Sequence, residues 1–309
     1  MVSSTLRLAV AQTSVHRDPT DIGAIRAAGS EIRTLMQHAR LAGARVVQFP
    51  EGTLAYAGPD PLDWDRAAWP ELRAQADAIA ADARELGLWV VFGAPHRLTG
   101  SRRPHNSLYV VSDTGDLVTR YDKRFLSNTE ITNLYTPGTE ATIVDIDGTR
   151  IGLAICIEAK FPEVFAEYER HNADAVLLSA ATTDPIFATV AQAHAELFSM
   201  WIGFAAPASI TGAASPVASN AASAFTSNSG SATAPRAGLI APGGRWLAQT
   251  ARVRGRRGLA VADIDLGSIS SDIDTSRRLA RPWRRTARSG LYAPHTAKGD
   301  PRSKNRGEF

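Results

Sequence analysis

Three short stretches that read as strands each end in a side chain that is out of place on a buried strand. Arg45-Val-Val-Gln-Phe-Pro-Glu51 ends in a carboxylate, and Leu117-Val-Thr-Arg-Tyr-Asp-Lys123 ends in an ammonium. Arg150-Ile-Gly-Leu-Ala-Ile-Cys156 ends in the only cysteine of the chain. A thiol can attack a carbon centre, a carboxylate can exchange protons and an ammonium can offset a developing anion. Singly, each has a plainer explanation. A lone cysteine after apolar residues is commonly an inert core residue, Glu51 could cap a turn, and Lys123 beside Arg124 could be a solvated charge. Sheet proteins gather ligands at the carboxyl ends of their strands, so if the three strands are neighbours the three groups could meet at one edge.

Other chemistries lack support. There is no phosphate-cradling Gly-x-x-x-x-Gly-Lys-Ser/Thr loop, no Gly-x-Gly-x-x-Gly turn and no Gly-x-Ser-x-Gly elbow. The seven histidines are scattered without metal-ligand spacing, and one cysteine cannot clamp zinc with thiolates or form a disulfide framework. The expectation is a protein without metal or cofactor. The 309 residues are 44% hydrophobic and 21% charged, enough for a full core. No run reaches the roughly 18 apolar residues of a membrane span. The N-terminus lacks a basic region and cleavage site, so the expected location is the cytoplasm.

Charge is uneven along the chain. Residues 277–309 carry ten Lys/Arg against two acids, a net of +8, which leaves −5 for residues 1–276. The tail also holds Trp283, Leu291 and Tyr292, unlike a disordered basic arm. It is expected to dock on an acidic surface, its own or a partner's, and not on nucleic acid or a membrane.

Strand and helix signals alternate at short intervals, as positioning elements for the three groups must. Leu6–Gln12, Val46–Phe49, Trp89–Phe92 (ended by Gly93), Ala175–Ser179 and Trp201–Ala205 read as strands. Apolar residues from Ile25 to Ala39 recur at helical spacing before Gly43, and residues 67–86 form a second helix closed by Gly87. Ser107–Val111 with Val118–Tyr121, Ile143–Ile146 with Arg150–Ile155 turned at Asp147-Gly148, and Gly238–Ala241 with Trp246–Ala248 read as hairpins. Pro162 opens another helix, residues 186–199 form a fourth, and Leu259–Ile264 closes the series. Residues 205–237 contain twelve Ala and seven Ser, a loop composition that could line a roomy site. Helices between strands together with hairpins imply mixed sheets with outer helices in one domain, residues 1–276.

The flanks Phe49-Pro50-Glu51, Tyr121-x-Lys123 and Cys156-x-Glu158-x-x-Phe161-Pro162-Glu163, in this order, resemble the nitrilase superfamily of carbon–nitrogen hydrolases. The resemblance extends from Leu6 to residues 237–244 and into the tail. It implies an α+β fold, a four-layer α-β-β-α sandwich with two mixed sheets, paired into homodimers or larger homo-oligomers through helices and C-terminal extensions such as residues 277–309. It also implies a Glu51-Lys123-Cys156 triad that attacks a small amide or carbamoyl amine. Glu51 would take the thiol proton and return it to the leaving amine, while Lys123 and the N–H of Ile157 would hold the oxyanion. Glu130, upstream of Tyr135-Thr-Pro-Gly138, would position substrate or Lys123. Glu158 would orient its neighbours or sit buried against a Lys or Arg. Relatives often carry Arg where this chain has Lys160, and larger residues where it has Ala180-Ala-Thr-Thr-Asp-Pro185. True nitrilases tend to carry Cys-Trp-Glu, so Cys-Ile-Glu favours the amidase and carbamoylase branches over nitrile hydrolysis. A non-catalytic binding protein using the basic tail is the alternative of a different class.

Overall fold

The computed structural model describes residues 5–58, 60, 62–212, 235–251 and 257–267. The chain begins with β1 (Thr5–Gln12), β2 (Ser14–His16), α1 (Ile22–Leu41) and β3 (Val46–Gln48). The short α2 (Asp63–Arg66), then α3 (Trp69–Leu86), β4 (Trp89–His96), β5 (His105–Val111) and β6 (Leu117–Asp122) follow. The second half holds β7 (Ile143–Ile146), β8 (Thr149–Ile155), α4 (Pro162–Arg170), β9 (Ala175–Ser179), α5 (Ile186–Phe198) and β10 (Trp201–Ala205). It closes with β11 (Ser209–Thr211), β12 (Gly238–Ile240), β13 (Trp246–Gln249) and β14 (Gly258–Asp265).

Two six-stranded mixed sheets result, ordered β14-β1-β3-β4-β5-β6 and β13-β12-β10-β9-β8-β7. The two-residue period of the strands explains how they stack. In β1, Leu6, Leu8 and Val10 point between the sheets, while Ala9 and Ala11 face α1 and α3. In β8, Ile151, Leu153 and Ile155 enter the same inter-sheet core, and Ala154 faces α4 and α5. Both faces of the inner strands are therefore dry, which is why Ala175–Ser179 is buried at all five positions. The layers run α-β-β-α, as the family resemblance implies.

Local chemistry sets the element ends. Asp21 caps α1 by accepting from the Ala24 N–H at 2.9 Å, and Gly87 ends α3 in the left-handed conformation. Asp147 and Gly148 both have positive φ, 52° and 84°, as a tight two-residue hairpin turn between β7 and β8 demands.

Some expectations need correction. Gly93 does not end its strand, and β4 continues to His96. A Cβ on Gly93 would lie 2.3 Å from the Gly52 nitrogen and 2.7 Å from the Pro50 oxygen, so this glycine marks a close backbone crossing. The two-stranded ribbon of β2 and β11 is too short to leave a periodic signal. Residues 213–234 of the Ala/Ser-rich stretch, and the tail at 277–309, lie outside the described residues. Among the described residues no helix is long and apolar enough to cross a membrane.

Gly93→Ala is expected to lower unfolding stability by about 1–3 kcal/mol, since the added methyl must displace the backbone around Glu51. Urea denaturation checks this, and an unchanged midpoint would mean that the crossing is not tight.

Candidate active site

Glu51 comes three residues after β3, in a turn fastened on both sides. The Phe49 N–H donates to Val91 O at 2.8 Å, and Thr53 Oγ1 donates to Pro50 O at 2.5 Å. Lys123 directly follows β6, where its N–H donates to Asn106 O and its carbonyl accepts from the Gly138 N–H, both at 2.8 Å. Cys156 directly follows β8 and adopts φ +49°, a strained backbone for a residue with a side chain. The three strands are not neighbours. β4 and β5 separate β3 from β6, and β8 belongs to the other sheet. The strand ends converge because the sheets are stacked face to face.

The polar centre is a closed network. Glu51 Oε1 accepts from Lys123 Nζ at 2.9 Å and from Asn106 Nδ2 at 2.7 Å, and its Oε2 accepts from the Ala181 N–H at 2.7 Å. Lys123 Nζ also donates to Glu130 Oε1 at 2.7 Å, and Glu130 Oε2 accepts from the Ser127 N–H at 2.8 Å. Glu130 sits on a single π-helical turn, Glu130–Leu134. Glu51, Lys123 and Glu130 are all buried, and Cys156 is partly exposed beside them.

Burial opposes the charge on Lys123, but Glu130 and Glu51 outweigh it and hold the ammonium well above the usual lysine range. Burial likewise works against the Glu130 carboxylate, yet Lys123 keeps its pKa below the ordinary value. For Cys156 the balance goes the other way. Burial, then the Glu51 charge, push the thiol well above its usual range, with Lys123 and a hydrogen bond from the Ala181 N–H opposing. The resting arrangement is therefore a neutral thiol beside a paired ammonium. The Ala181 N–H lies in reach of both Glu51 and the sulfur.

Among the described residues Glu158 forms no ion pair with a Lys or Arg side chain and is held by neutral donors instead. Its Oε1 accepts from Tyr121 Oη at 2.8 Å and from the N–H groups of Arg124 and Phe125 at 2.7 and 3.1 Å. Its Oε2 accepts from the Ile155 N–H at 2.7 Å. Burial raises its pKa, with the backbone donors opposing. One carboxylate thus ties the end of β6 to the end of β8 through hydroxyl and backbone donors. Ile157 lies in the 3-10 turn Cys156–Lys160, before the first i→i+3 bond, so its N–H is not consumed by the turn. Lys160 is exposed, its Nζ 5.2 Å from the Phe187 ring centroid.

Asn106 and the Ala181 N–H, both bonded to Glu51, are members of the site that sequence reasoning missed. The polar start of β5, His-Asn-Ser, was the available signal for Asn106; a backbone N–H leaves none. Tyr56, Trp64, Tyr135 and Ala181 pack with Val15 and Ala57 as an apolar wall near the carboxylates. Among the described residues no cluster of His, Cys, Asp and Glu could hold a metal ion.

A family model described as carbon–nitrogen hydrolase matches residues 7–274. A hydrolase of Mycobacterium tuberculosis is 29% identical over 183 residues, covering 57% of this chain and 61% of the relative's length. The chloroplastic omega-amidase of Arabidopsis thaliana is 25% identical over 281 residues, 85% of this chain and 69% of the relative. Among solved structures, an amidase from Nesterenkonia superposes with a TM-score of 0.68 at 17% identity, covering 93% of this chain and 98% of that one. The last likeness concerns the fold.

The state of the thiol can be tested directly, because Cys156 is the only cysteine. Its alkylation by iodoacetamide, followed by mass spectrometry, is expected to accelerate continuously from roughly pH 6 to pH 9, since only thiolate reacts and the raised pKa keeps that fraction small. A plateau near neutral pH would show a thiolate already stabilised at rest.

Proposed function

The chain belongs to the carbon–nitrogen hydrolase family, and on that premise we propose that it hydrolyses the non-peptide carbon–nitrogen bond of a small linear amide or carbamoyl amine through a thioester on Cys156. The observation that carries this is the buried Glu51–Lys123–Glu130 network beside the lone, partly exposed thiol. The omega-amidase likeness over most of the chain supports an amide over a nitrile.

The neutral thiol needs a base as it attacks, and Glu51 takes its proton. The sulfur bonds to the carbonyl carbon, and the oxygen that gains charge is held by Lys123 and the Ile157 N–H. Glu51 then delivers the proton to the nitrogen, the carbon–nitrogen bond breaks and the neutral amine leaves. Water, deprotonated by Glu51, attacks the thioester; the acid departs and the thiol regains its proton. Glu130 keeps Lys123 charged and in place throughout. The −5 of residues 1–276 and the +8 of residues 277–309 fit a tail packed across a homodimer, in the reducing cytoplasm that suits a working thiol.

A panel of linear amides, carbamoyl amines and nitriles should identify turnover of the first two, with the acyl group trapped on Cys156 by mass spectrometry. Cys156→Ala is expected to abolish turnover with the fold intact by circular dichroism. Lys123→Met should cost roughly 10²-fold or more in kcat. Glu51→Gln should block amide turnover yet still be acylated slowly by an activated ester, whose leaving group needs no proton. Equal amide and ester hydrolysis by Glu51→Gln, or substantial activity in Cys156→Ala, would overturn the mechanism. A separate expectation is that deleting residues 277–309 weakens self-association in sedimentation; a full-length monomer would refute the tail's role.

A further inference from the structure

The turn that carries Cys156 is fastened from two sides. Glu158 binds it to the sheets, accepting from the Ile155 N–H at 2.7 Å and from Tyr121 Oη at 2.8 Å. The second fastening comes from α5. His194 lies on that helix with only 3% of its surface exposed, and its Nε2 is 2.7 Å from the carbonyl oxygen of Ala159, inside the turn Cys156–Lys160. A carbonyl oxygen only accepts, so Nε2 carries the proton and donates. The helix is itself a fixed support, since Gln192 Nε2 donates to Gly244 O at 2.8 Å and ties α5 to the loop between β12 and β13.

The rest of the imidazole is held by packing. It stacks on Phe165 of α4, with centroids 3.8 Å apart and planes 10° from parallel, and the Phe198 ring lies 5.7 Å away. Burial lowers its pKa against the opposing Ala159 bond, so the ring is neutral at physiological pH. With Nε2 protonated, Nδ1 is a bare acceptor, and it is buried with no hydrogen-bond partner among the described residues. An open buried acceptor is costly, and a phenylalanine at 194 would join the same aromatic stack without it. The imidazole therefore offers the core only one thing that a phenyl ring would not. That is its single donor, which goes to the Cys156 turn.

The placement of this turn matters for the chemistry. Cys156 at its start holds φ +49°, a conformation that persists only under outside support. The next residue, Ile157, supplies the N–H assigned to the oxyanion. Such a donor has to stand about 2.7–3.1 Å from the oxygen where charge develops, and a misplacement of about 1 Å can cost roughly 10²-fold. Resting on the hydrolysis mechanism proposed above, we infer that His194 is a positioning residue: its Nε2–H, bonded to Ala159 O, holds the Cys156–Lys160 turn from α5 so that the Ile157 N–H meets the oxyanion. The imidazole moves no proton and touches no substrate.

Two reagents separate this role from plain stability. Iodoacetamide alkylates the sulfur by direct displacement and builds no oxyanion, whereas acylation by 4-nitrophenyl acetate passes through a tetrahedral oxyanion. Both need a deprotonated sulfur, so the ratio of the two rates cancels any change in thiolate fraction. His194→Phe, which keeps the stack and drops the donor, should lower the acylation-to-alkylation ratio by about 10- to 100-fold. With an amide that the panel identifies, kcat should fall by a similar factor while KM stays within about 2-fold. His194→Gln, whose amide nitrogen takes the place of Nε2, should restore the ratio to within about 3-fold of the wild type, and His194→Asn, whose amide reaches only as far as Nδ1, should not. The Gln–Asn contrast decides the matter if the Phe variant does not fold. An unchanged ratio in His194→Phe, or like behaviour of His194→Gln and His194→Asn, would overturn the inference. A wild type that turns over no amide would sink the hydrolase function alone, since the ester still reports on His194; a wild type that the ester does not acylate would overturn both.

Discussion

An ammonium held between two carboxylates inside a dry sandwich constrains nearly everything around it. Lys123 Nζ lies 2.9 Å from Glu51 and 2.7 Å from Glu130, and all three side chains are buried. Charges removed from water are tolerable only when paired and hydrogen-bonded, and taking away one partner from such a pair costs about 3–5 kcal/mol. The network therefore demands that three segments arrive at fixed positions: the turn after β3, the end of β6 and the π-helical turn. It also leaves little freedom for their supports. Asn106 donates to Glu51 from β5, and the Ala181 N–H does so from the segment that follows β9 of the opposite sheet.

Holding those segments requires that the two sheets keep one register. A second buried polar link provides this just below the site. Gln48 Nε2 donates to Ser179 Oγ and to Gly203 O, each at 3.1 Å, and Ser179 Oγ donates to Phe49 O at 2.8 Å. These bonds join β3 to β9 and β10 across the apolar core. Gly203 leaves room for this link: a Cβ there would lie 2.3 Å from Gln48 Oε1 and would have to displace that side chain. Glu158 makes the matching tie at the other side, binding the loop after Lys123 to the residue before Cys156. Unsatisfied polar groups in this interface would be costly, so a slip of the sheets is penalised at several points together.

Cys156 is placed by a different device. Its backbone at φ +49° is costly for a side-chain residue, and the strain persists only because the strand before it and the turn after it are both locked. Burial and the nearby carboxylate keep the sulfur neutral, whereas the same carboxylates keep Lys123 charged. One set of charges thus separates the protonation behaviour of two neighbours, the arrangement that acid–base chemistry requires.

Much of this was legible in the chain. Period-two and helical apolar spacing located the long elements, Asp147-Gly148 marked its hairpin, and the misplaced Glu51, Lys123 and Cys156 stood out at strand ends, because these signals reside in a residue and its near neighbours. Gly93 was misjudged for a complementary reason: a glycine's role depends on what crosses it, and Pro50 to Gly52 cross it from a distant part of the chain. That the three strand ends meet across two sheets and not along one, that a backbone N–H at Ala181 serves Glu51, that Glu158 binds amides in place of a cation, and that His194 reaches Ala159 from α5 were decided by tertiary structure alone. Pattern along a chain reports which face of an element is apolar. It carries no record of which faces stack or of the register at which they stop, and the distances between polar atoms follow only from that stacking.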